Sequence, residues 1–206
     1  MAKTFKFFHD KLGGTAVTNY IGTAGEIFYN AEVGDLRISD GVTAGGIILY
    51  SAAGSGATGY CGTFYDTQIQ TSVGANQVNL LKYRSNDITD GISIVADNKI
   101  TMAHAARYNI QFSAQLDKTD SGVDFVDIWL RKNGSNVDYS NTRVEMPKVD
   151  AKLVAAWNWV VEASANDYFE IAWSSADVDM RIYAEGAQTT PTRPAIPSVI
   201  LTVTQV

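Results

Sequence analysis

The sequence predicts an all-β protein in which a small glycine-rich β region precedes a larger antiparallel sandwich or barrel. Residues 108–116 alternate apolar and polar side chains throughout, and a period of two is typical of a strand with one buried face. Residues 126–131 alternate in the same way and lead into Asn133-Gly134, a dipeptide that favours a tight hairpin because both residues tolerate positive φ. Turn residues separate about ten short runs of this kind after residue 60, which favours a sandwich or barrel over alternating strands and helices.

Length and composition allow a packed core and argue against nucleic-acid binding. The chain has 206 residues, 46% hydrophobic and 18% charged, with a formal net charge of -6. Wrapping of nucleic acid needs concentrated Lys and Arg. No run approaches the roughly 18 apolar residues of a membrane-spanning helix, and the N-terminus lacks a signal-peptide core. We expect no nucleic-acid partner, no membrane insertion and assembly in a reducing cytoplasm, which the single cysteine fits.

Composition divides the chain into four segments. Residues 1–14 form a short aromatic arm, and residues 15–50 alternate apolar runs with glycine turns. Residues 51–59 consist of Gly, Ala, Ser and Thr, so they have no large side chain to anchor them and are typical of a flexible linker. Residues 60–206 carry the strand-rich pattern and form the predicted main domain.

The N-terminal arm is predicted to attach the protein to a larger structure. Its bulky apolar residues stand in a segment too short to build its own core, so they need a partner surface. Packing of the arm back on its own assembly is the alternative. The attachment residues are Phe5, Phe7 and Phe8.

The predicted strands of the main domain follow one another at turn-punctuated intervals. The segment around residues 150–165 contains Ala, Leu, Trp and Val and is compatible with a helix, but Trp157, Trp159 and Val161 are spaced at two, which favours a strand. The predicted runs are 60–69, 78–83, 92–95, 99–103, 108–116, 126–131, about 136–144, 153–161, 168–173, 178–183 and 198–206.

A glycine-rich pattern in the N-terminal region resembles the short β repeats of bacteriophage tail fibres. The matching stretches are GTAGEIFYN at residues 22–30 and GDLRISDGVTAGG at residues 34–46. Asp40-Gly41 and Gly45-Gly46 permit tight turns, and Leu36 with Ile38 has the period of a strand. A strand set this small buries too little apolar area to be stable alone. We therefore expect it to pair across chains in a trimer.

The main domain resembles the C1q/TNF-like jelly roll in the version carried by phage virion proteins. The resemblance implies a ten-stranded antiparallel sandwich whose inner sheets meet around a three-fold axis lined with aromatic and apolar residues. Its motifs are RYNIQF at 107–112, LRKNG at 130–134, DYFEIAW at 167–173 and PSVILTV at 197–203.

The stretch 153–161 corresponds best to the residues that line that axis. Both of its faces are apolar, and because a sandwich core covers only one face, the second needs another subunit. The predicted trimer-interface residues are Leu153, Ala155, Trp157, Trp159 and Val161.

The sequence offers little for catalysis, and we expect neither an enzyme nor a cofactor. His9 and His104 are the histidines of the chain, and the sequence has no nucleophile-elbow motif that would supply a serine to act with either of them. Cys61 has no basic neighbour in the sequence that would activate its thiol. A glycosidase would need two carboxyl groups roughly 5–9 Å apart in a cleft. Asp177 and Asp179 could lie near that distance on one strand face, but such a pair is common on solvated sheet faces.

A calcium site is a secondary hypothesis for the acidic stretch around Ser121-Gly122. Oxygen-rich loops suit hard cations, but the spacing misses the calcium-loop pattern, and a hairpin with solvated carboxylates is the preferred interpretation. The weak calcium candidates are Asp117, Asp120 and Asp124.

These patterns together predict a structural virion protein. The expected partners are two further copies of the chain and other virion proteins of the capsid or tail, and the expected location is the particle surface. The alternative is a receptor-binding module that recognises a bacterial surface glycan through aromatic and polar residues of the outer loops.

Overall fold

A computed structural model describes residues 17, 19–30, 34–51 and 59–206, and its secondary structure is β-strand with essentially no helix. The prediction of an all-β chain is confirmed. Two compact units, Met1–Thr58 and Gly59–Val206, divide the chain. In the described part, no helix has the length and apolar character needed to cross a bilayer.

Two of the predicted segments fall outside the description. The arm at residues 1–14 lies there with Phe5, Phe7 and Phe8, and so do residues 52–58 of the predicted linker. Their roles stay predictions.

The first unit contains a three-stranded antiparallel sheet. Its strands are β1 (Ile27–Asn30), β2 (Asp35–Ile38) and β3 (Ile47–Ser51), in the order β1-β2-β3. The connection between β2 and β3 is closed by Asp40, whose carboxylate accepts hydrogen bonds from the backbone N–H groups of Val42 and Thr43 at 2.9 and 2.7 Å.

Glycine is required within this connection. Gly41 and Gly46 have φ of 83° and 62°, and a Cβ on Gly46 would lie 2.7 Å from the carbonyl oxygen of Ile38. The tight turns predicted from the sequence are therefore present.

The second unit contains all the remaining strands. They are β4 (Cys61–Asp66), β5 (Gln70–Thr71), β6 (Asn79–Leu80), β7 (Ser85–Asp90), β8 (Ile92–Val95), β9 (Lys99–Met102), β10 (Ala106–Lys118), β11 (Asp124–Lys132), β12 (Ser135–Asn136), β13 (Thr142–Met146), β14 (Lys152–Ala163), β15 (Tyr168–Ser175), β16 (Met180–Ile182), β17 (Gln188–Thr189), β18 (Thr192–Arg193) and β19 (Val199–Gln205).

Two antiparallel sheets account for most of these strands, and β17 with β18 forms a separate hairpin. Sheet I has the order β14-β10-β19-β4-β7. On the side of β10 away from β14, β19 pairs with most of the strand, and β16 pairs with its last three residues. Strand β5 in turn pairs with β16. Sheet II centres on β11 and β15. There β12 and β13 pair with β11, β6 and β9 pair with β15, and β8 pairs with β9.

The inward faces of both sheets share one hydrophobic core. Ile110 and Phe112 from β10 and Leu201 from β19 meet Ile128 from β11 and Ile171 from β15, and none of them is more than 2% exposed. Each strand supplies every second residue to this core, as its alternating pattern predicts. This arrangement is consistent with a sandwich.

Most of the predicted strands are present, with three differences, one of which is the β17–β18 hairpin that no predicted run covers. Residues 152–163 form a strand, which confirms the strand prediction over the helical alternative. The return strand predicted at about 136–144 is broken into β12 and β13 by a turn in which Tyr139 has a φ of 61°. Strand β7, with the sequence SNDITD, was missed because it has almost no apolar residues.

Candidate functional site

Strand β14 is the long free edge of sheet I. It pairs with β10 from Lys152↔Asp117 to Ala163↔Ala106, and it pairs with no other strand in the described parts of the chain. An open edge of this length presents backbone N–H and C=O groups that another chain can use.

One face of β14 turns toward the core of its own chain. Phe112 packs edge-on against Trp157 at 4.8 Å and stacks on Trp159 at 5.4 Å between ring centroids, and Ala155 is 3% exposed. The two indoles and Val161 are only half-buried, because the facing edge strand β13 is much shorter than β14.

All five predicted interface residues belong to this inward set. Leu153, at the end of the strand, is 40% exposed. These five residues therefore lie along the open edge of the sandwich, and we call this surface the open rim. Their contact with another subunit stays a prediction.

The opposite face of β14 points away from the core and is also apolar. Val154 and Val160 are 59% and 62% exposed, and Ala156 between them is exposed. Asn158, the polar member of this row, donates a hydrogen bond from Nδ2 to Oδ1 of Asn109 on β10 at 2.6 Å.

This uncharged character continues across sheet I. The strand registers and the alternation of side chains place uncharged residues outward along most of each neighbouring strand, and Asp90, which pairs with Cys61 at the outer edge on β7, is the exception. We call this surface the neutral face. It comprises Val154, Ala156, Asn158, Val160, Asn109, Gln111, Ser113, Gln115, Ile200, Thr202, Thr204, Cys61, Thr63, Tyr65 and Ile88.

Charged residues border the neutral face at its edges. Asp117 lies at one end, where it accepts hydrogen bonds from Lys152 Nζ at 2.7 Å and from Arg181 Nε at 2.6 Å. Burial raises the pKa of Asp117, but the hydrogen bonds from these two cations outweigh it and hold the pKa below its ordinary value. Arg107 and Glu162 face each other at the other end.

The outer face of sheet II has the opposite character. Arg143 pairs with Asp127 at 2.8 Å, Arg131 pairs with Glu170 at 3.4 Å, and Lys99 lies over the ring of Tyr168. The exposed pair of Arg143 and Asp127 is typical of a solvated surface, whereas Glu170 is buried. The contrast makes the neutral face the candidate functional site, because charge depletion marks the core of protein interfaces.

The predicted calcium candidates do not converge. Asp117 is occupied by Lys152 and Arg181, whereas Asp120 and Asp124 pair with the buried ammonium group of Lys118. A different trio, Asp120 with Asp177 and Asp179, brings carboxylate oxygens within 4.8 Å of one another. The neighbouring ammonium group of Lys118 already supplies a positive charge to this trio through Asp120.

Of the histidines considered for catalysis, His9 lies outside the described residues, and His104 makes two contacts within the fold. The His104 ring stacks on Tyr60 with 3.9 Å between centroids, and the His104 carbonyl accepts a hydrogen bond from the Tyr108 hydroxyl at 2.9 Å. Cys61 is half-buried on the neutral face. Comparison with protein-family models and with curated proteins finds no match to this chain.

Sequence reasoning singled out β14 but missed the extent of the neutral face. A signal was present in the outward positions of β10, where Asn109, Gln111, Ser113 and Gln115 follow one another without a charge. A solvated strand normally carries Lys, Glu or Asp at some of these positions.

Proposed function

We propose that this chain is a structural component of a bacteriophage virion, a trimeric surface appendage mounted on the capsid or tail by its N-terminal region. The observation that carries the proposal is the neutral face of sheet I, whose outermost strand is the open edge strand β14. The phage assignment rests on the glycine-rich repeat at residues 22–46.

The neutral face suits contact with further copies of the same chain. Each copy carries a net charge of -6, and a contact surface without charge adds no local repulsion between like groups to this overall repulsion. The neutral face also places Val154, Val160, Ile88 and Ile200 in water, where each is between 43% and 62% exposed. Covering these side chains with a second copy removes apolar area from water.

The edge and the face together favour a closed ring. The open rim with Trp157 and Trp159 is a different surface from the neutral face, so a contact between rim and face is head-to-tail. Head-to-tail contacts generate rings when the rotation closes, and a ring of three agrees with the resemblance to C1q/TNF-like proteins.

The strand order supports a jelly roll of that type. Ten strands (β4, β7, β8, β9, β10, β11, β13, β14, β15 and β19) build the main parts of the two sheets, and the first of them pairs with the last. The chain crosses between the sheets after β7, β9, β10, β13, β14 and β15. This alternation between two antiparallel sheets is compatible with a double-sheet jelly roll.

The sheet of the first unit also supports association. Ile47, Ile48 and Leu49 on β3 and Tyr29 on β1 are each about half exposed, between 45% and 52%. A three-stranded sheet with this much exposed apolar surface gains stability when further chains cover it.

The proposal is tested by mass and by location. Light scattering of the purified chain should give three times the chain mass of 22.3 kDa, and mass spectrometry of gradient-purified virions should detect the chain. Antibodies against residues 59–206 should label the outside of intact particles. A monomer in solution, or absence of the chain from purified virions, would overturn the proposal.

A deletion of residues 2–12 examines the mounting role of the arm. The shortened protein should remain a trimer but disappear from assembled particles, because Phe5, Phe7 and Phe8 would no longer contact the virion. Full incorporation would assign mounting to another part of the chain.

A further inference from the structure

A groove of about 390 Å³ lies on the outer face of sheet II, the sheet that does not carry the neutral face. It lies where β11 meets the turn between β12 and β13. A shallow groove of this size with aromatic and polar walls has room for one small polar ligand. Its lining includes Asp127, Trp129, Asn136, Asp138, Tyr139 and Asn141.

Tyr139 occupies this groove in an unusual way. Its side chain is fully exposed, so its ring contributes no burial to the fold. Its φ is 61°, a left-handed conformation that is unfavourable for a bulky residue. Strain of this kind persists at functional sites, and neither packing nor backbone preference accounts for a tyrosine here.

The turn that carries Tyr139 is held rigidly by the next residue. The Ser140 hydroxyl accepts a hydrogen bond from the N–H of Leu130 at 3.0 Å and donates one to the carbonyl of Val137 at 2.7 Å. Ser140 is 5% exposed. The ring of Tyr139 is thus presented by a fixed backbone, which lowers the entropy lost when a ligand binds.

The other walls combine an indole with oriented polar groups. Trp129 donates from Nε1 to Oδ1 of Asn136 at 2.8 Å, which fixes the plane of the half-buried ring. Asn141 Nδ2 and Arg143 Nε donate to Oδ1 of Asp127 at 3.1 and 3.0 Å. Arg143 therefore neutralises the carboxylate of Asp127.

We infer that this groove binds a neutral sugar unit of a glycan. A pyranose ring has an apolar C–H face, which suits the electron-rich face of Trp or Tyr, and a rim of hydroxyl groups, which suits amides and carboxylates. Asp138 has no ion pair or hydrogen-bond partner among the described residues, and its negative charge disfavours anionic sugars.

This inference goes beyond the structural role. It gives the appendage a means of recognising a cell surface, and a trimer would present three grooves and gain avidity from them. The groove and the neutral face lie on different sheets, so sugar binding and trimer formation can be measured separately.

The test is NMR titration of the full chain with three neutral probes and one anionic probe. The neutral probes are methyl α-mannoside, methyl β-galactoside and N-acetylglucosamine, and the anionic probe is galacturonate. At least one neutral probe should shift the Trp129 indole N–H signal with a dissociation constant on the order of millimolar. Galacturonate should bind at least tenfold more weakly.

Two variants remove the aromatic walls, and one serves as a matched control. Tyr139→Gly deletes the ring while supplying a residue suited to positive φ, so the fold is retained and sugar affinity should fall at least tenfold. Trp129→Ala should also reduce affinity at least tenfold. Val95→Ala removes an exposed apolar side chain from strand β8 of the same sheet, outside the groove, and should leave affinity unchanged.

Several results would overturn the inference. They are the absence of binding by all three neutral probes, binding that Tyr139→Gly leaves intact, and tighter binding of galacturonate than of the neutral probes. A chain that is monomeric but binds a neutral probe would overturn the trimer and retain the sugar site.

Discussion

Replacement of Val160 by lysine tests whether the neutral face is buried in an assembly. Full burial of a valine side chain is worth about 1.5–3 kcal/mol. Val160 is 62% exposed, so association can still gain about 1–2 kcal/mol per chain at this position. Val160→Lys removes that gain and adds the cost of taking an ammonium group out of water, which is several kcal/mol when the charge has no partner.

The loss should appear as dissociation and not as unfolding. A change of about 2 kcal/mol per chain corresponds to roughly 30-fold in each association constant, and the desolvation cost adds to it. The free energy of unfolding of the isolated chain should change by less than about 1 kcal/mol, because an exposed strand position tolerates lysine.

Sedimentation equilibrium at micromolar concentration measures this effect directly. The matched control is Val95→Lys, which changes a valine that is 50% exposed on strand β8 of sheet II and should leave the mass unchanged. If Val160→Lys keeps the wild-type mass and dissociation constant, the neutral face is not the interface.

Three further predictions concern stability. Trp159→Ala removes a ring stacked on Phe112 and should lower the unfolding free energy by about 3 kcal/mol, the low end for a large aromatic because the ring is half-buried; an unchanged denaturation midpoint would contradict the packing described. Hydrogen bonds from Lys132, Asn133 and the Ser164 N–H lower the pKa of Asp167 to about 2, so its stabilisation is present above the unfolded pKa near 4 and is lost as the pH falls through 2. Asp167→Asn should therefore be less stable than wild type at pH 7 and approach it only near pH 1, below both pKa values, and a stability gap independent of pH in urea titrations would refute this. Residues 59–206 should fold and trimerise alone, with one cooperative thermal transition, since they form their own compact unit; an insoluble fragment would show that the first unit is needed.

Alternation along single strands was sufficient to predict much of the fold. Strands β10 and β11 follow from their period of two, and the hairpin between β11 and β12 follows from Asn133-Gly134, whose φ values are 50° and 81°. Strand β7 could not be found in this way, because its side chains are almost all polar and it owes its place to backbone pairing with β4.

The break between β12 and β13 also escaped sequence reasoning. The residues from 136 to 144 show no Gly or Pro, so no breaker marks the turn. It depends instead on the buried hydroxyl of Ser140, which bonds backbone groups from two separate positions. A contact of this kind exists only after β11 and the turn have come together.

The sequence also did not predict which face of β14 lies toward the core. Both faces of β14 are apolar, so alternation separates Leu153, Ala155 and Trp157 from Val154 and Ala156 but cannot tell which set faces the core. That choice is made by Phe112 on the neighbouring strand, through its contacts with the two indoles. The charge contrast between the two sheets could not be predicted from the sequence either. It depends on the strand order, which places strands that are far apart in the sequence side by side.

The pairing of β4 with β19 has a consequence for synthesis of the protein. These strands lie side by side in sheet I, although one opens the second unit and the other closes it. During translation, β10 and β4 emerge long before the strand that must lie between them, so sheet I cannot be completed on the ribosome until residue 205 has left the exit tunnel. Contacts so distant in sequence form slowly, and until they form, the nascent chain exposes its apolar strands. The yield of folded protein should therefore depend more strongly on chaperone binding and growth temperature than on how fast the chain is synthesised.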